Sequence, residues 1–149
     1  MRRAARAIII RDNKSLLLMH RNKFGLEYDV LIGGGVEIDE SAEQAVLREI
    51  SEETGIVVTT PRPVFIEHAN PPYGDQYIFV CEYVSGEPAL NDQSEEFKIN
   101  LMGLNKYQPI WRTYQEFETI DFLSKPLKQA IINGIKNGFP DQVIDITSN

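Results

Sequence analysis

A chain of 149 residues, 42% hydrophobic and 25% charged, has the size and balance of one compact domain with a real core. Its net charge of −7 excludes the basic footprint that a nucleic acid polymer needs. It leaves room for a small-molecule nucleotide, whose phosphates a bound cation can bridge to an acidic protein. The single cysteine, Cys81, excludes an intrachain disulfide and a thiolate zinc centre.

Ala4 to Ile10 reads as a first strand and Ser15 to His20 as a second, joined by the turn signal Arg11-Asp12-Asn13-Lys14. Arg2 and Arg3 ahead of Ile8-Ile9-Ile10 make too short an apolar run for a signal peptide or a membrane span. No membrane partner is expected, and the expected location is cytoplasmic. The polar stretch Arg21 to Glu27, with Gly25 inside it, is predicted to be a loop from which Arg21 and Lys23 reach a phosphate. Tyr28 to Ile32 is a short strand feeding a glycine turn, Gly33-Gly34-Gly35. There the backbone can approach a ligand, and a carbonyl of Gly33 or Gly34 can join a metal shell.

The residues after that turn form the most informative element. Ser41 with Gln44 three positions on is a capping box, and Gly55 is a natural left-handed stop, so a helix is predicted between them. Glu49, Glu52 and Glu53 stand at i, i+3 and i+4, where like charges repel unless a cation lies between them. Mg²⁺, with Mn²⁺ as a substitute, suits carboxylate oxygens. At 100° per residue with Ala42 as the origin, Glu49 and Glu53 fall about 20° to either side of it, among Ala45 and Val46. Two of the three acids therefore point at the protein body or a cleft, where unpaired carboxylates are costly. A solvated acidic face is not arranged in this way.

Beyond the helix, Val57 to Thr60 and Val64 to His68 are β-rich, broken by Pro61-Arg62-Pro63. A strong turn from Asn70 to Asp75 leads into a strand from Gln76 to Val84, within which Cys81 is expected to be a buried, inert thiol. Asn91 to Glu96 is predicted to be an acidic loop. Tyr107 to Tyr114 is predicted to be a last strand, with Trp111 in the core. Ser124 starts a final helix with Pro126 in its first turn and Leu127, Ala130, Ile131 and Ile135 on one face, ended by Gly138 and Pro140. His20 and His68 are expected to be structural. Strands and helices in this order suit an α/β fold, a mixed sheet covered by helices on both faces. Residues 1–149 show no repeat and no linker, and are expected to form a single domain.

Gly34, Glu40, Arg48, Glu49, Ile50, Glu52, Glu53, Gly55 and Ile56 meet every fixed position of G-x5-E-x7-R-E-U-x-E-E-x-G-U, where U is a bulky aliphatic residue. On that pattern the chain resembles the Nudix hydrolases. One departure lies just outside it: Ile32 stands where many members have a proline that stiffens the turn. The resemblance implies an α/β/α sandwich with the motif helix packed on the sheet. It implies Mg²⁺-dependent hydrolysis of a phosphoanhydride bond in a nucleoside diphosphate linked to another group. Glu49, Glu52, Glu53 and a carbonyl of Gly33 or Gly34 would hold the metal, with Glu52 or another of these glutamates as the base. Arg48 would orient a glutamate, Glu40 would support the loop and helix start, and Glu96 (or Glu95) would add a carboxylate. Tyr73, beside Pro71 and Pro72, falls where substrate type is marked in parts of the family. The chain's small size favours (d)NTPs as substrates, with ADP-ribose, dinucleoside polyphosphates or a non-catalytic nucleotide-sensing module as alternatives. Homodimerisation stays open.

Overall fold

The computed structural model describes residues 2–148. Strands β1 (Arg3–Arg11), β2 (Ser15–Lys23) and β3 (Leu26–Gly35) come first, then helix α1 (Ala42–Thr54) and strands β4 (Val57–Val58), β5 (Arg62–Ala69) and β6 (Asp75–Ser85). They are followed by α2 (Glu95–Asn100), β7 (Asn105–Thr113), α3 (Tyr114–Thr119), α4 (Lys125–Asn137) and β8 (Ile144–Ser148). The sheet runs β7-β2-β3-β1-β6-β5-β8, with β4 on β6. Among the described strands β1–β6 and β5–β8 pair in parallel and the others antiparallel, so the sheet is mixed as expected.

Alternation along the strands sends side chains to two cores. Ala5, Ala7 and Ile9 pack with Ala45, Val46 and Ile50 of α1, and Trp111 joins this core at its edge. Ile8, Leu16 and Leu31 pack with Phe117, Leu127 and Ile131 of α3 and α4 on the other face. Burying each large aliphatic side chain contributes about 1.5–3 kcal/mol, which holds both helical layers to the sheet. Cys81 lies in the α1-side core, where burial pushes its thiol up to about 12. It is buried, as its place in the strand suggested.

Several predicted loops prove to be ordered elements. Arg21 to Glu27 is no loop: β2 continues to Lys23, β3 begins at Leu26, and Phe24-Gly25 make a two-residue hairpin turn with φ of 54° and 91°. Such turns need positive φ at both positions, and Gly25 supplies one at no steric cost. Gly33-Gly34-Gly35 is no turn either. These residues pair with Arg6, Ala5 and Ala4 of β1 as the end of β3. A Cβ on Gly33 would lie 2.1 Å from the Ala5 carbonyl oxygen, so glycine is what lets the two strands close.

The acidic loop is corrected in part: Ser94 accepts from the Phe97 N–H and caps α2, which carries Glu95 and Glu96 in its first turn. The last predicted strand stops at Thr113, which forms a capping box with Glu116 and starts α3. Both capping signals are local but short, and polar composition masked them. Strand β8 had no counterpart in the sequence reading.

Candidate active site

Helix α1 begins and ends where its caps place it: Ser41 and Gln44 form the capping box, and Gly55 sits at φ 68° as the left-handed stop. That register turns Glu49 (8% exposed) and Glu53 (4% exposed) inward, as the helical wheel requires. Glu96 approaches from α2. One carboxylate oxygen from each of Glu49, Glu53 and Glu96 lies within 4.8 Å of the others. Glu52 stands aside; its carboxylate is 42% exposed and meets only the far end of Arg48, at 3.4 Å.

Arg48 and Glu40 hold this arrangement from outside. Arg48 donates through Nε and Nη2 to the two Glu40 oxygens at 2.8 and 3.0 Å, through Nη1 to Glu49 Oε1 at 2.9 Å, and through Nη2 to the Gly35 carbonyl at 2.9 Å. Glu40 also accepts from the Glu37 N–H at 3.0 Å, closing the loop ahead of the helix. The Arg48 guanidinium, helped by that N–H, holds the Glu40 carboxyl down at about 2. Such a forked, charge-assisted pair fixes direction as well as charge.

Gly33 and Gly34 serve the acids in different ways. The Gly33 N–H donates to Glu53 Oε1 at 2.9 Å, while its carbonyl accepts from Arg6 Nη1 at 3.1 Å. A carbonyl has two lone pairs, so that contact leaves one free. A Cβ on Gly34 would lie 2.6 Å from Glu49 Oε1, so the missing side chain is the space the carboxylate occupies.

The electrostatics of the cluster are those of a cation-binding site, with carboxylates that repel one another brought together by the fold. Burial raises the Glu53 carboxyl well above the usual carboxylate value, and the neighbouring Glu49 charge raises it further. Burial likewise raises Glu49, against the pull of Arg48, and raises Glu96, with the Glu49 charge adding to it. Three buried or half-buried carboxylates with all-oxygen donors fit a hard divalent cation such as Mg²⁺ or Mn²⁺, which would remove their mutual repulsion.

These groups open into a cavity of about 880 Å³ that also takes in Arg21, Lys23 and Tyr73. Arg21 lies on β2 with its guanidinium 3.7 Å over the Tyr107 ring and Nη2 2.5 Å from Asn105 Oδ1. Its Nε is a buried donor that finds no acceptor among the described residues. Lys23 is exposed at the end of β2, and Tyr73 is exposed on the β5–β6 loop. On the α4 side the cavity is walled by Leu31, Ile78, Phe122 and Leu127.

Three lining residues escaped the sequence reading. Arg6 of β1 donates through Nε to Gln76 Oε1 at 3.1 Å, and the charges of Glu53, Glu49 and Glu67 act on it. A charge inside the apolar run Ala4 to Ile10 was the available signal. Gln76 and Glu67 face each other across β6 and β5, and nothing local marked them.

Neither histidine is among the residues that line the cavity of the acidic cluster. His20 sits 2.6 Å from Asp29 and 3.1 Å from Glu27, and His68 sits between Asp75 and Asp145.

A model of the NUDIX domain matches residues 1–123. The chain belongs to the NUDIX family. Among relatives, an ADP-ribose pyrophosphatase of Methanocaldococcus jannaschii is 35% identical over 97 residues, which is 62% of this chain and 57% of that protein. The NAD-capped RNA hydrolase NudC of Vibrio cholerae is 32% identical over 103 residues, 69% of this chain and 38% of that one. The chain thus spans 57% or less of the length of these two relatives. A NUDIX hydrolase structure from Nitrosomonas europaea superposes with a TM-score of 0.71 at 16% identity, covering 98% of this chain and 78% of the other. A likeness at that identity is one of fold, and it gives the NUDIX motif of this chain its α/β sandwich setting. Among the described residues, no helix is long and apolar enough to cross a membrane.

Proposed function

We propose that this NUDIX chain hydrolyses the phosphoanhydride bond of a nucleoside diphosphate linked to a further group, with a divalent cation as cofactor. What supports this above all is the convergence of Glu49, Glu53 and Glu96 within 4.8 Å, inside a cavity large enough for a nucleotide. Glu49, Glu53 and Glu96, with the Gly33 carbonyl, would hold the cation, Mg²⁺ or Mn²⁺. When bound, the cation neutralises phosphate oxygens and makes a neighbouring water more acidic.

The chain's own groups do the rest. Arg48 fixes the Glu49 carboxylate from behind while Glu40 fixes Arg48, so the cluster keeps its shape when charge changes during the reaction. The Gly33 N–H holds Glu53. Glu52, exposed and held at 3.4 Å by Arg48, stands outside the cavity lining, which leaves Glu49, Glu53 or Glu96 to take a proton from the attacking water. Arg21, Lys23 and Arg6 bring positive charge to the cavity wall, where it stabilises phosphate oxygens away from the metal.

For the substrate, no observation of the site favours (d)NTPs. The two relatives compared by sequence carry the names ADP-ribose pyrophosphatase and NAD-capped RNA hydrolase. ADP-ribose and NAD both join an ADP unit through its pyrophosphate to a second ribose. We therefore place ADP-ribose first among candidates, with the cavity's polar wall on the diphosphate and its apolar wall on the nucleoside. The test is product release from ADP-ribose, NAD, dinucleoside polyphosphates and (d)NTPs, with Mg²⁺, Mn²⁺ or a chelator. Metal-dependent release of AMP from ADP-ribose is the expected result. Cleavage of (d)NTPs alone would overturn the substrate assignment, and binding without cleavage of any member would replace the hydrolase with a sensing module.

A further inference from the structure

Glu67 is a buried carboxylate in the nucleotide cavity, and none of the chemistry above uses it. It is 4% exposed, lines the cavity, and stands on β5 opposite Gln76 of β6. One of its oxygens, Oε2, accepts from the Ser124 hydroxyl, which in turn accepts from the Leu127 N–H and so caps α4. The other oxygen has no hydrogen-bond donor among the described residues. Among the described residues Arg21 Nε is the buried side-chain atom left without a partner, so this Glu67 oxygen is reached by water from the cavity, and a ligand that displaces the water must supply a donor in its place.

Its surroundings say what that donor is not. The first turn of α4 would attract an anion, but Glu67 already sits at it, so a phosphate placed there would meet a carboxylate. Phosphate belongs instead beside Glu49, Glu53 and Arg21. On this side the cavity is lined by Leu31, Ile78, Phe122 and Leu127, with Arg6, Gln76 and Glu67 as the polar part of its wall. That is the composition of a site for a flat, mainly apolar ring system whose polar edge must be matched.

We propose that Glu67 is a specificity-determining residue that accepts a hydrogen bond from a donor group on the nucleoside half of the substrate. The proposal rests on the nucleoside diphosphate reading above and deepens it. A carboxylate accepts and never donates, so it favours an amino or hydroxyl group and rejects a carbonyl at the same point. For an adenosine substrate, two groups offer that chemistry: the exocyclic amine of the base and a ribose hydroxyl.

The experiment is calorimetric binding of AMP, IMP and 2′-deoxy-AMP to the full chain and to its Glu67→Gln variant, with melting temperatures as a control for folding. Glutamine keeps an oxygen for Ser124 and turns the cavity-facing group towards donation. The wild type is expected to bind AMP about 10- to 100-fold more tightly than one of the two analogues, the range for losing a hydrogen bond to a charged group. If IMP is the weak binder the amine is the group read, and if 2′-deoxy-AMP is, the hydroxyl is. In Glu67→Gln that difference should collapse, and KM for ADP-ribose should rise while kcat stays within about twofold.

Equal weakening of all three ligands in the variant, or no change in their ratios, would overturn the proposal and leave the hydrolase reading untouched. Loss of discrimination in a protein that cleaves no pyrophosphate would overturn the hydrolase reading and leave Glu67 as a nucleoside reader. Failure of the wild type to bind any of the three would overturn the role of Glu67.

Discussion

Glu53 is the residue on which most demands meet: it is buried, takes the Gly33 N–H, and shares its surroundings with Glu49 and Glu96. Glu53→Gln keeps an oxygen for Gly33 and removes only the charge. Turnover should fall by at least about 100-fold, since even groups behind the ligands typically cost 10- to 100-fold, while circular dichroism stays native. A rate unchanged at saturating Mg²⁺ would sink the assignment. The two glycines separate activity from stability. In Gly34→Ala the new methyl would displace the Glu49 carboxylate, the far end of a flexible side chain, so activity should drop about 10-fold or more with little change in melting temperature. In Gly33→Ala the methyl would strike the Ala5 carbonyl at a φ of 149°, and backbone cannot step aside. That variant should lose at least about 2 kcal/mol of stability, visible as an earlier urea midpoint. If both variants melted alike, the division of labour between the two glycines would be wrong.

Among elements, α1 was legible in full because its information is local: a capping box, a glycine stop and a charge pattern that only one helical phase satisfies. The glycine strand and the Arg21 to Glu27 hairpin were not, because three glycines or a polar run carry no strand propensity. Pairing with β1 and β7, remote in sequence, decides them. The face that α1 presents also makes stability depend on pH in a predictable sense. Glu49 and Glu53 titrate above their unfolded value of 4.5 in the metal-free fold, and so does Glu96 beside them. A raised folded value favours the protonated form, so its contribution is fully present below pH 4.5 and is lost as pH rises through the raised values. Glu40 runs the other way: its contribution is present above pH 4.5 and lost as pH falls towards about 2. Melting in chelator should therefore show wild type losing stability relative to Glu53→Gln between pH 4.5 and neutrality. Adding Mg²⁺ at about 100 times its Kd should return about 2.7 kcal/mol to wild type, and less to the variant. A wild type that gains on the variant over that window in chelator would contradict the buried, cation-seeking cluster.

At the scale of the whole molecule, the site exists because distant segments meet, which is why sequence showed the α1 acids more clearly than Arg6, Glu67 or Gln76. The order β7-β2-β3-β1-β6-β5-β8 brings β1 beside both β3 and β6, so Arg6 can reach Gly33 on one side and Gln76 on the other. Holding the far half of that sheet is a charged knot on the face away from α1. Arg112 of β7 grips Asp29 of β3 at 2.8 and 3.2 Å, His20 of β2 joins them, and the Asp29 backbone pairs with Asp121 and Leu123 before α4. Asp29 is 1% exposed, so removing its main cation leaves a buried charge nearly alone. Arg112→Ala should lower stability by about 3 kcal/mol, the usual result of breaking one side of a buried pair. The loss should itself depend on pH. Burial lowers the His20 value, but the hydrogen bonds to Asp29 and Glu27 outweigh it and the net shift is upward, with Arg112 opposing. Protonated His20 therefore stabilises the fold fully below pH 6.5, and that contribution fades as pH rises through the raised value. Without Arg112 the imidazolium becomes the main cation facing Asp29, and its value rises further. Urea unfolding should then show a smaller gap between wild type and Arg112→Ala at pH 5.5 than at pH 8.5, because the protonated histidine partly replaces the lost guanidinium. A gap that is equal at the two pH values, or wider at the acidic one, would mean that Asp29 relies on Arg112 without help from His20.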